Sequence, residues 1–192
     1  TNSGKVSGGM NVGGIAGNFL GGKITNCRFS GTVSGNGSYH GGIVGDNQSG
    51  SVIDCVNSGG KVSGVNHIGG ITGSSDITGS SDGTISRCTN SAEVAGSEAI
   101  GGICGWFQSK STIISDCTNS GKVSGGMNVG GIAGISLSGI SGCKNTGRIT
   151  FTGGQGDQGC VGGIVGESTS TLSDCIHTGT VSGSGKNVYE LT

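Results

Sequence analysis

The chain of 192 residues is long enough for one ordinary domain, but 46 of its residues are Gly, none is Pro, and only 11% are charged. Its formal net charge is −1 and its ten Lys and Arg residues are dispersed, so we expect no nucleic-acid partner. No run of about 18 apolar residues is present, so we expect no membrane insertion.

The chain contains six related units, and each carries the string Gly-Gly-Ile-x-Gly. The strings are Gly13–Gly17, Gly41–Gly45, Gly69–Gly73, Gly101–Gly105, Gly130–Gly134 and Gly162–Gly166, with starts separated by 28, 28, 32, 29 and 32 residues. Thr1–Gly17 and Thr118–Gly134 are identical, and their offset of 117 residues equals the first four separations together. Repeats of this length are typical of solenoids. Because Thr1 falls inside a repeat, we expect the chain to be a segment of a longer one.

In chain order, two further apolar segments follow each Gly-Gly-Ile string. The first is Ile, Val or Leu three positions before a Cys, and the second is centred on a Val or Ile six or seven positions after that Cys. Short β-branched segments bounded by Gly, Ser and Asn predict strands, and this density of Gly argues against helices.

Three short strands in each unit of 28–32 residues predict an all-β fold, a parallel β-solenoid of about six coils that forms one domain over residues 1–192. Coils stacked at roughly 4.8 Å would give a rod near 30 Å long. An up-and-down sandwich or a β-propeller is the competing architecture, but propeller blades need roughly 40–50 residues.

The glycine pairs predict corners of the coil. A corner requires a positive φ or the close approach of the next coil, and Gly supplies both. A phosphate-binding loop is the alternative, but the motif Gly-x-x-x-x-Gly-Lys-Ser/Thr does not occur. The predicted corner residues are Gly13, Gly14, Gly41, Gly42, Gly69, Gly70, Gly101, Gly102, Gly130, Gly131, Gly162 and Gly163.

Six cysteines recur once per unit and predict a column inside the solenoid. They are Cys27, Cys55, Cys88, Cys117, Cys143 and Cys175. We favour small buried side chains stacked on one another. Disulfides between successive coils are an alternative, although Cβ atoms about 5 Å apart would strain them. A zinc site would need converging pairs and a catalytic thiol would need a base, whereas His40, His67 and His177 fall at unrelated positions. We therefore expect no metal, no cofactor and no catalytic residue.

Two residues after four of these cysteines the chain carries Asn, which predicts a ladder of amide side chains. The residues are Asn57, Asn90, Asn119 and Asn145, and Phe29 and His177 hold the same position in two other units. Each amide could bond the next coil or its own turn. Asn facing solvent at a turn is the alternative.

Residues that could bind a ligand are sparse. Trp106 and Phe107 form the one strongly aromatic pair that we expect at the surface; such a pair stacks on carbohydrate or, the interpretation we favour, packs over a corner. Asp76, Asp82 and Asp157 lie in long connections without the alternating spacing of a calcium loop. The other acidic residues show no paired pattern of the kind that glycosidases use.

The stretch Gly41–Gly64, GGIVGDNQSGSVIDCVNSGGKVSG, resembles the GLUG motif repeat of bacterial surface proteins. That motif is named for Gly-Leu-x-Gly, and here Ile replaces the Leu. The resemblance implies an extracellular or cell-surface location, as a stalk or repeat in adhesins and in immunoglobulin A-cleaving metallopeptidases. It brings no catalytic residue, because the His-Glu-x-x-His of those peptidases does not occur in this sequence.

These observations predict a structural or adhesive module, a rigid rod that is not an enzyme and that stacks end to end into a filament. The expected partners are a second copy, a host surface protein or a surface glycan. A carbohydrate-binding or polysaccharide-processing β-helix is the first alternative, and an ice-binding solenoid is the second.

Overall fold

In the computed structural model, residues 1–77, 83–109, 112–153 and 159–183 are described in full, and residues 187–189 by their backbone. These residues contain strands and turns and no helix, so none of them belongs to a helix long and apolar enough to cross a membrane. The chain winds through six coils, and each coil contributes five short strands.

The strands of the first coil are β1 (Lys5–Gly8), β2 (Val12–Gly13), β3 (Ala16–Phe19), β4 (Lys23–Thr25) and β5 (Arg28–Phe29). Those of the second are β6 (Thr32–Gly35), β7 (His40–Gly41), β8 (Val44–Asn47), β9 (Ser51–Ile53) and β10 (Val56–Asn57). Those of the third are β11 (Lys61–Ser63), β12 (Asn66–Gly69), β13 (Thr72–Ile77), β14 (Ile85–Ser86) and β15 (Thr89–Asn90).

The strands of the fourth coil are β16 (Glu93–Ala95), β17 (Glu98–Gly101), β18 (Cys104–Ser109), β19 (Ile114–Ser115) and β20 (Thr118–Asn119). Those of the fifth are β21 (Val123–Gly125), β22 (Met127–Gly130), β23 (Ala133–Ser136), β24 (Ile140–Ser141) and β25 (Lys144–Asn145). Those of the sixth are β26 (Ile149–Phe151), β27 (Cys160–Gly162), β28 (Val165–Ser168), β29 (Leu172–Ser173) and β30 (Ile176–His177); β31 (Val181–Ser182) and β32 (Asn187–Tyr189) follow.

Strands at the same place in successive coils pair with one another, so the solenoid has five parallel sheets. The first strands form sheet 1, the second strands sheet 2, and so on to sheet 5; β31 extends sheet 1 and β32 extends sheet 2. The register places like residues over like, as where Val33 pairs with Val62 and Val62 with Val94. The prediction of an all-β parallel solenoid of about six coils is confirmed.

The prediction of three strands per coil is wrong, because five sheets are present. The additional strands are short and carry no run of β-branched residues, as in Arg28–Phe29 and Thr89–Asn90. A residue with positive φ lies two positions before each of these two strands, so one coil bends at more points than its apolar residues indicate.

Two positions in each coil carry the positive φ. The residue before each ladder cysteine has φ between 51° and 62°; these are Asn26, Asp54, Arg87, Asp116, Gly142 and Asp174. The residue two before the glycine pair has φ between 52° and 66° in five coils; these are Asn11, Tyr39, His67, Ala99 and Asn128. The positive φ values therefore lie beside the glycine pairs, whereas the second glycine of each pair and the isoleucine after it form the bend between sheets 2 and 3.

The core is a set of columns that run the length of the solenoid, each receiving one side chain per coil. The isoleucine after the glycine pair is at most 1% exposed in five coils; these residues are Ile43, Ile71, Ile103, Ile132 and Ile164. Sheet 1 supplies a valine and isoleucine column, of which Val33, Val94 and Ile149 are fully buried. No coil encloses a core of its own, so the apolar surface of each coil is removed from water by its neighbours.

Candidate functional site

The four predicted Asn side chains form a hydrogen-bonded column in sheet 5, and all four are fully buried. The Nδ2 of Asn57 donates to Oδ1 of Asn90 at 3.0 Å, Asn90 donates to Asn119 at 2.8 Å, and Asn119 donates to Asn145 at 2.9 Å. Asn119 also closes its own turn: its Oδ1 accepts from the backbone N–H of Gly121, and its Nδ2 donates to the Gly121 carbonyl. Because all four side chains are buried, the alternative of Asn side chains that face solvent at a turn is excluded.

The Asn column is interrupted at one point and continued at both ends. Phe29 is in register with Asn57 and offers no donor, so Oδ1 of Asn57 has no partner. Beyond Phe29, Asn2 makes the same local bonds, with its Nδ2 donating to the Gly14 carbonyl at 2.7 Å. At the other end, Nδ2 of Asn145 lies 3.0 Å from Nδ1 of His177. The repeat spacing predicts Asn2 as well, because Asn119 occupies its place in the duplicated stretch.

The glycine pairs are where the coil interior is narrowest. A Cβ on Gly42 would overlap the carbonyl oxygen of Gly70 and the side-chain amide of Asn57, and a Cβ on Gly41 would overlap the carbonyl oxygen of Val44. None of the twelve predicted corner glycines has a positive φ. They are required for close approach, and the second of each pair makes room for the residue in the Asn column.

The six ladder cysteines stack in one column with their thiols turned to backbone carbonyls. Cys55, Cys88, Cys117 and Cys143 are buried, while Cys27 and Cys175 are partly exposed; all eight cysteines of the chain are free thiols. The Cys117 thiol donates to the carbonyl of Ser115, two residues earlier, at 3.2 Å, and accepts the backbone N–H of Cys88 at 3.4 Å. Burial raises the pKa of the Cys175 thiol.

Within the described ranges, no group of three or more His, Cys, Asp or Glu side chains is placed to hold a metal ion. The three histidines occupy three different kinds of position. His40 is fully buried in sheet 2 between Val12 and Ile68, with its ring nitrogens 2.8 and 3.1 Å from the carbonyl oxygens of Ser63 and Gly9. His177 ends the Asn column, and His67 lies at the surface.

A surface groove with a volume of about 450 Å³ lies across coils one to four. We call it the ring groove, after Tyr39 and Trp106 in its lining and the ring of His67, which lies between them. The ring centroids of Tyr39 and His67 are 5.0 Å apart, and those of His67 and Trp106 are 5.4 Å apart at an interplanar angle of 30°. Three successive coils therefore contribute one ring each.

Register explains how these rings meet. Tyr39 and His67 hold the position two before the glycine pair, the same position that Ala99 holds in the next coil. Trp106 is in sheet 3, in register with Ser74, which is in register with Asp46. The column of Tyr39 and His67 lies at the start of sheet 2, and the contact between the His67 and Trp106 rings joins it to sheet 3. Tyr39 and His67 were not predicted as site residues, although both stand two positions before a Gly-Gly pair and this spacing aligns them.

Hydrogen-bond acceptors line the rest of the ring groove. Asp46 and Asp76 contribute carboxylates, and Nε2 of Gln48 donates to Oδ2 of Asp46 at 3.1 Å. Oδ1 of Asp76 and Oδ1 of Asn11 are shielded from solvent and have no hydrogen-bond partner. Among the described residues that line the groove, none is Lys or Arg.

Burial lowers the pKa of His67 below its usual value of 6.5, although Glu98 and Asp46 act in the opposite direction. The imidazole is therefore neutral at pH 7. A neutral ring stacks between Tyr39 and Trp106 without adding a positive charge, so the two carboxylates leave the groove acidic.

Of the two predicted aromatic candidates, only Trp106 reaches the surface. The expectation of an exposed Phe107 is wrong: Phe107 is fully buried, in register with Ser75 and Ser136. Successive residues of a strand point to opposite faces, so Trp106 and Phe107 cannot both face solvent. Asp76 lies in the ring groove, whereas Asp82 and Asp157 lie outside the described residues.

Comparison with protein families assigns one coil. Residues 8–34 match the family model described as the GLUG motif. Because Ser34 is the register partner of Ser7, the matched segment covers one full circuit, from the end of β1 to β6. The segment that is similar to the GLUG motif is thus one coil of this solenoid, and the other coils repeat its five strands. The comparisons with curated proteins and with solved structures found no match.

Proposed function

We propose that this chain is a rigid, non-catalytic rod at a bacterial cell surface, which spaces or displays what is joined to it and takes part in adhesion. The observation that carries the proposal is the unbroken register of five parallel sheets through six coils. A solenoid whose columns are continuous has no internal hinge, because bending would separate the buried Asn and Ile columns.

The duplicated stretch supports a rod that lengthens by adding coils. Thr118–Gly134 runs from the last strand of the fourth coil into the fifth coil, and its fifth-coil part packs on the coil before it, for example where Val129 pairs with Ile100. Thr1–Gly17 has the same sequence, and within the described residues each strand from β1 to β4 pairs on one side only. The first coil therefore carries the same surface and can receive another coil, from a longer chain or from a second copy.

The GLUG motif supports the surface location, since the resemblance noted in the sequence is to repeats of bacterial surface proteins. A host surface protein, a surface glycan or a second copy is the proposed partner. Antibody binding to intact cells that make the protein tests the location: labelling without permeabilisation is expected, and labelling only after permeabilisation would contradict a surface role.

The rod is tested by lengthening it at its own junction. A chain in which residues 1–117 precede residues 1–192 keeps native sequence across the join, because Thr1–Gly17 and Thr118–Gly134 are identical. Four added coils should increase the maximum dimension from small-angle X-ray scattering by about 19 Å, at the roughly 4.8 Å spacing of paired strands. The 192-residue chain is the control, and an increase in width with little change in length would rule out a rod.

End-to-end association is measured separately. Sedimentation velocity over a range of protein concentrations should show species that grow in length as concentration rises. A single monomeric species at every concentration would restrict the lengthening to coils within one chain.

A further inference from the structure

We propose that the ring groove is a binding site for an uncharged saccharide. The site does not depend on the proposed rod function, because its side chains come from the first four coils of one chain. The inference rests on three features of the groove: its aromatic lining, its unpartnered acceptors and the sign of its charge.

The aromatic rings supply an apolar surface. Tyr39 and Trp106 line the groove, and the His67 ring lies between them, with its centroid 5.0 and 5.4 Å from theirs. The exposed parts of Tyr39 and Trp106 can pack against the C–H face of a sugar ring, because each combines an apolar body with a polar tip at a wet surface. The groove volume of about 450 Å³ lies within the range of small-ligand sites.

The unpaired acceptors in the groove indicate that its ligand carries hydrogen-bond donors. Oδ1 of Asn11 and Oδ1 of Asp76 are shielded from solvent without a donor, and Asp46 is held in place by Gln48. Buried acceptors are normally paired, so two unpaired ones at the edge of a groove indicate donors that a ligand brings. Sugar hydroxyls are donors of this kind, and several of them lie around one ring.

The charge of the groove excludes acidic sugars. Asp46 and Asp76 face the cavity, and no Lys or Arg is among its described lining residues. The carboxylate of a uronic or sialic acid would meet two like charges. Choline, a quaternary ammonium compound, fits the charge and the rings, but its one hydroxyl offers a single donor for the two acceptors of Asn11 and Asp76. An uncharged sugar satisfies all three features.

Binding can be followed through Trp106, because it is the only Trp in the chain. Maltose, cellobiose, lactose and N-acetylglucosamine are titrated into the protein up to tens of millimolar, with glucuronate, N-acetylneuraminate and choline as the charged comparisons. A saturable change in Trp106 fluorescence is expected with at least one uncharged sugar. Soluble dextrin titrated beside maltose distinguishes a free sugar from a glycan chain.

Variants locate the response in the groove. Tyr39→Ala is compatible with the fold, because Ala99 holds the same position with φ 54°. Asp46→Ala removes a carboxylate, and Glu167→Ala is its matched control, since Glu167 occupies the same register column beyond Ile135. We expect Tyr39→Ala and Asp46→Ala to weaken binding about tenfold, the effect of losing one interaction with a charged group or ring. Glu167→Ala should bind as the unchanged chain does.

Two results would overturn the proposal. One is the absence of a saturable response to every uncharged sugar, or a response that Asp46→Ala and Glu167→Ala alter equally. The other is saturation by choline or glucuronate in preference to the uncharged sugars. Circular dichroism and the urea midpoint of each variant verify that it is folded before binding is compared.

Discussion

At the scale of single residues, the Asn column stabilises the stack because each amide serves two coils and its own turn. Asn119 takes part in four hydrogen bonds, two along the column and two with Gly121. Its neighbours are fully buried, so a partner that loses its bond cannot turn to water.

Asn119→Ala should lower the free energy of unfolding by about 3 kcal/mol, since it leaves buried donors and acceptors on Asn90, Asn145 and Gly121 unpaired. Urea unfolding followed by circular dichroism measures the loss. Asn57→Ala is the matched control, because Oδ1 of Asn57 already lacks a partner. Asn57→Ala should lower the free energy of unfolding by about half as much. Equal losses in the two variants would argue that the hydrogen bonds of the Asn column add little to stability beyond packing.

A second residue-scale prediction concerns pH. Burial raises the pKa of Cys104 to about 12, against 9.0 for an unperturbed thiol. Because the folded-state pKa is the higher one, the unfolded chain loses this proton first as pH rises. The stabilisation is complete below about pH 9 and is lost progressively towards about pH 12.

The free energy of unfolding should be roughly 2 kcal/mol lower at about pH 10.5 than at about pH 8, because this one thiol ionises earlier in the unfolded chain. Cys104→Ala is the comparison, and Ala133 holds the same register position in the next coil, so Ala fits the column. Urea midpoints of the two chains should converge at alkaline pH. A difference that stays constant with pH would show that Cys104 ionises normally in the folded state.

At the scale of elements, the unit of structure is the column and not the strand. Most strands are two to four residues long, and a strand of that length is marginal by itself. Each strand is held by the strands above and below it, together with the side chains stacked on its own. The solvent exposure of a side chain should therefore depend on the column and the coil in which its residue lies.

Thiol labelling tests this directly. Iodoacetamide added to the folded chain should modify Cys27, Cys160 and Cys175, which are partly exposed, and should spare the five buried thiols until urea is added. Peptide mass spectrometry assigns each site. Modification of Cys88 or Cys117 at the rate of Cys175 would mean that the column opens readily between coils.

The column positions could be predicted from the sequence because the spacing from Cys to the next Val or Ile is six residues in five coils and seven in the other. The same spacing aligns the Asn residues and the glycine pairs, which fixes the solenoid and its core. The two-residue strands such as Val56–Asn57 could not be predicted, since their outward residues differ from coil to coil. A strand of two residues is too short to show a periodic pattern of apolar and polar residues.

The ring groove could not be predicted for a different reason. Its residues occupy outward columns, where the sequence differs from coil to coil: the position of Tyr39 and His67 is Asn in two coils and Ala in another. The groove forms only where a large ring in sheet 2 adjoins Trp106 in sheet 3. That neighbourhood depends on the angle of the turn between the sheets, which the glycine spacing does not reveal.

At the scale of the whole molecule, stability comes from contacts between neighbouring coils and depends little on charge. Two ion pairs are present in the described part of the chain, Lys61 with Glu93 and Arg87 with Asp54, and all four side chains are substantially exposed. The Arg87 guanidinium lowers the pKa of Asp54 through their hydrogen bonds. Exposed pairs of this kind contribute little, so the number of stacked coils is the main determinant of stability.

The lengthened chain of two copies of residues 1–117 followed by residues 118–192 should therefore be more stable as well as longer. Each added coil contributes one more interface, while the two outer edges stay the same in number. We expect a higher urea midpoint and, because more surface is exposed on unfolding, a steeper dependence of the unfolding free energy on urea. The 192-residue chain is measured in parallel. An unchanged midpoint and slope would show that coils unfold independently, and the continuous columns would then not couple one coil to the next.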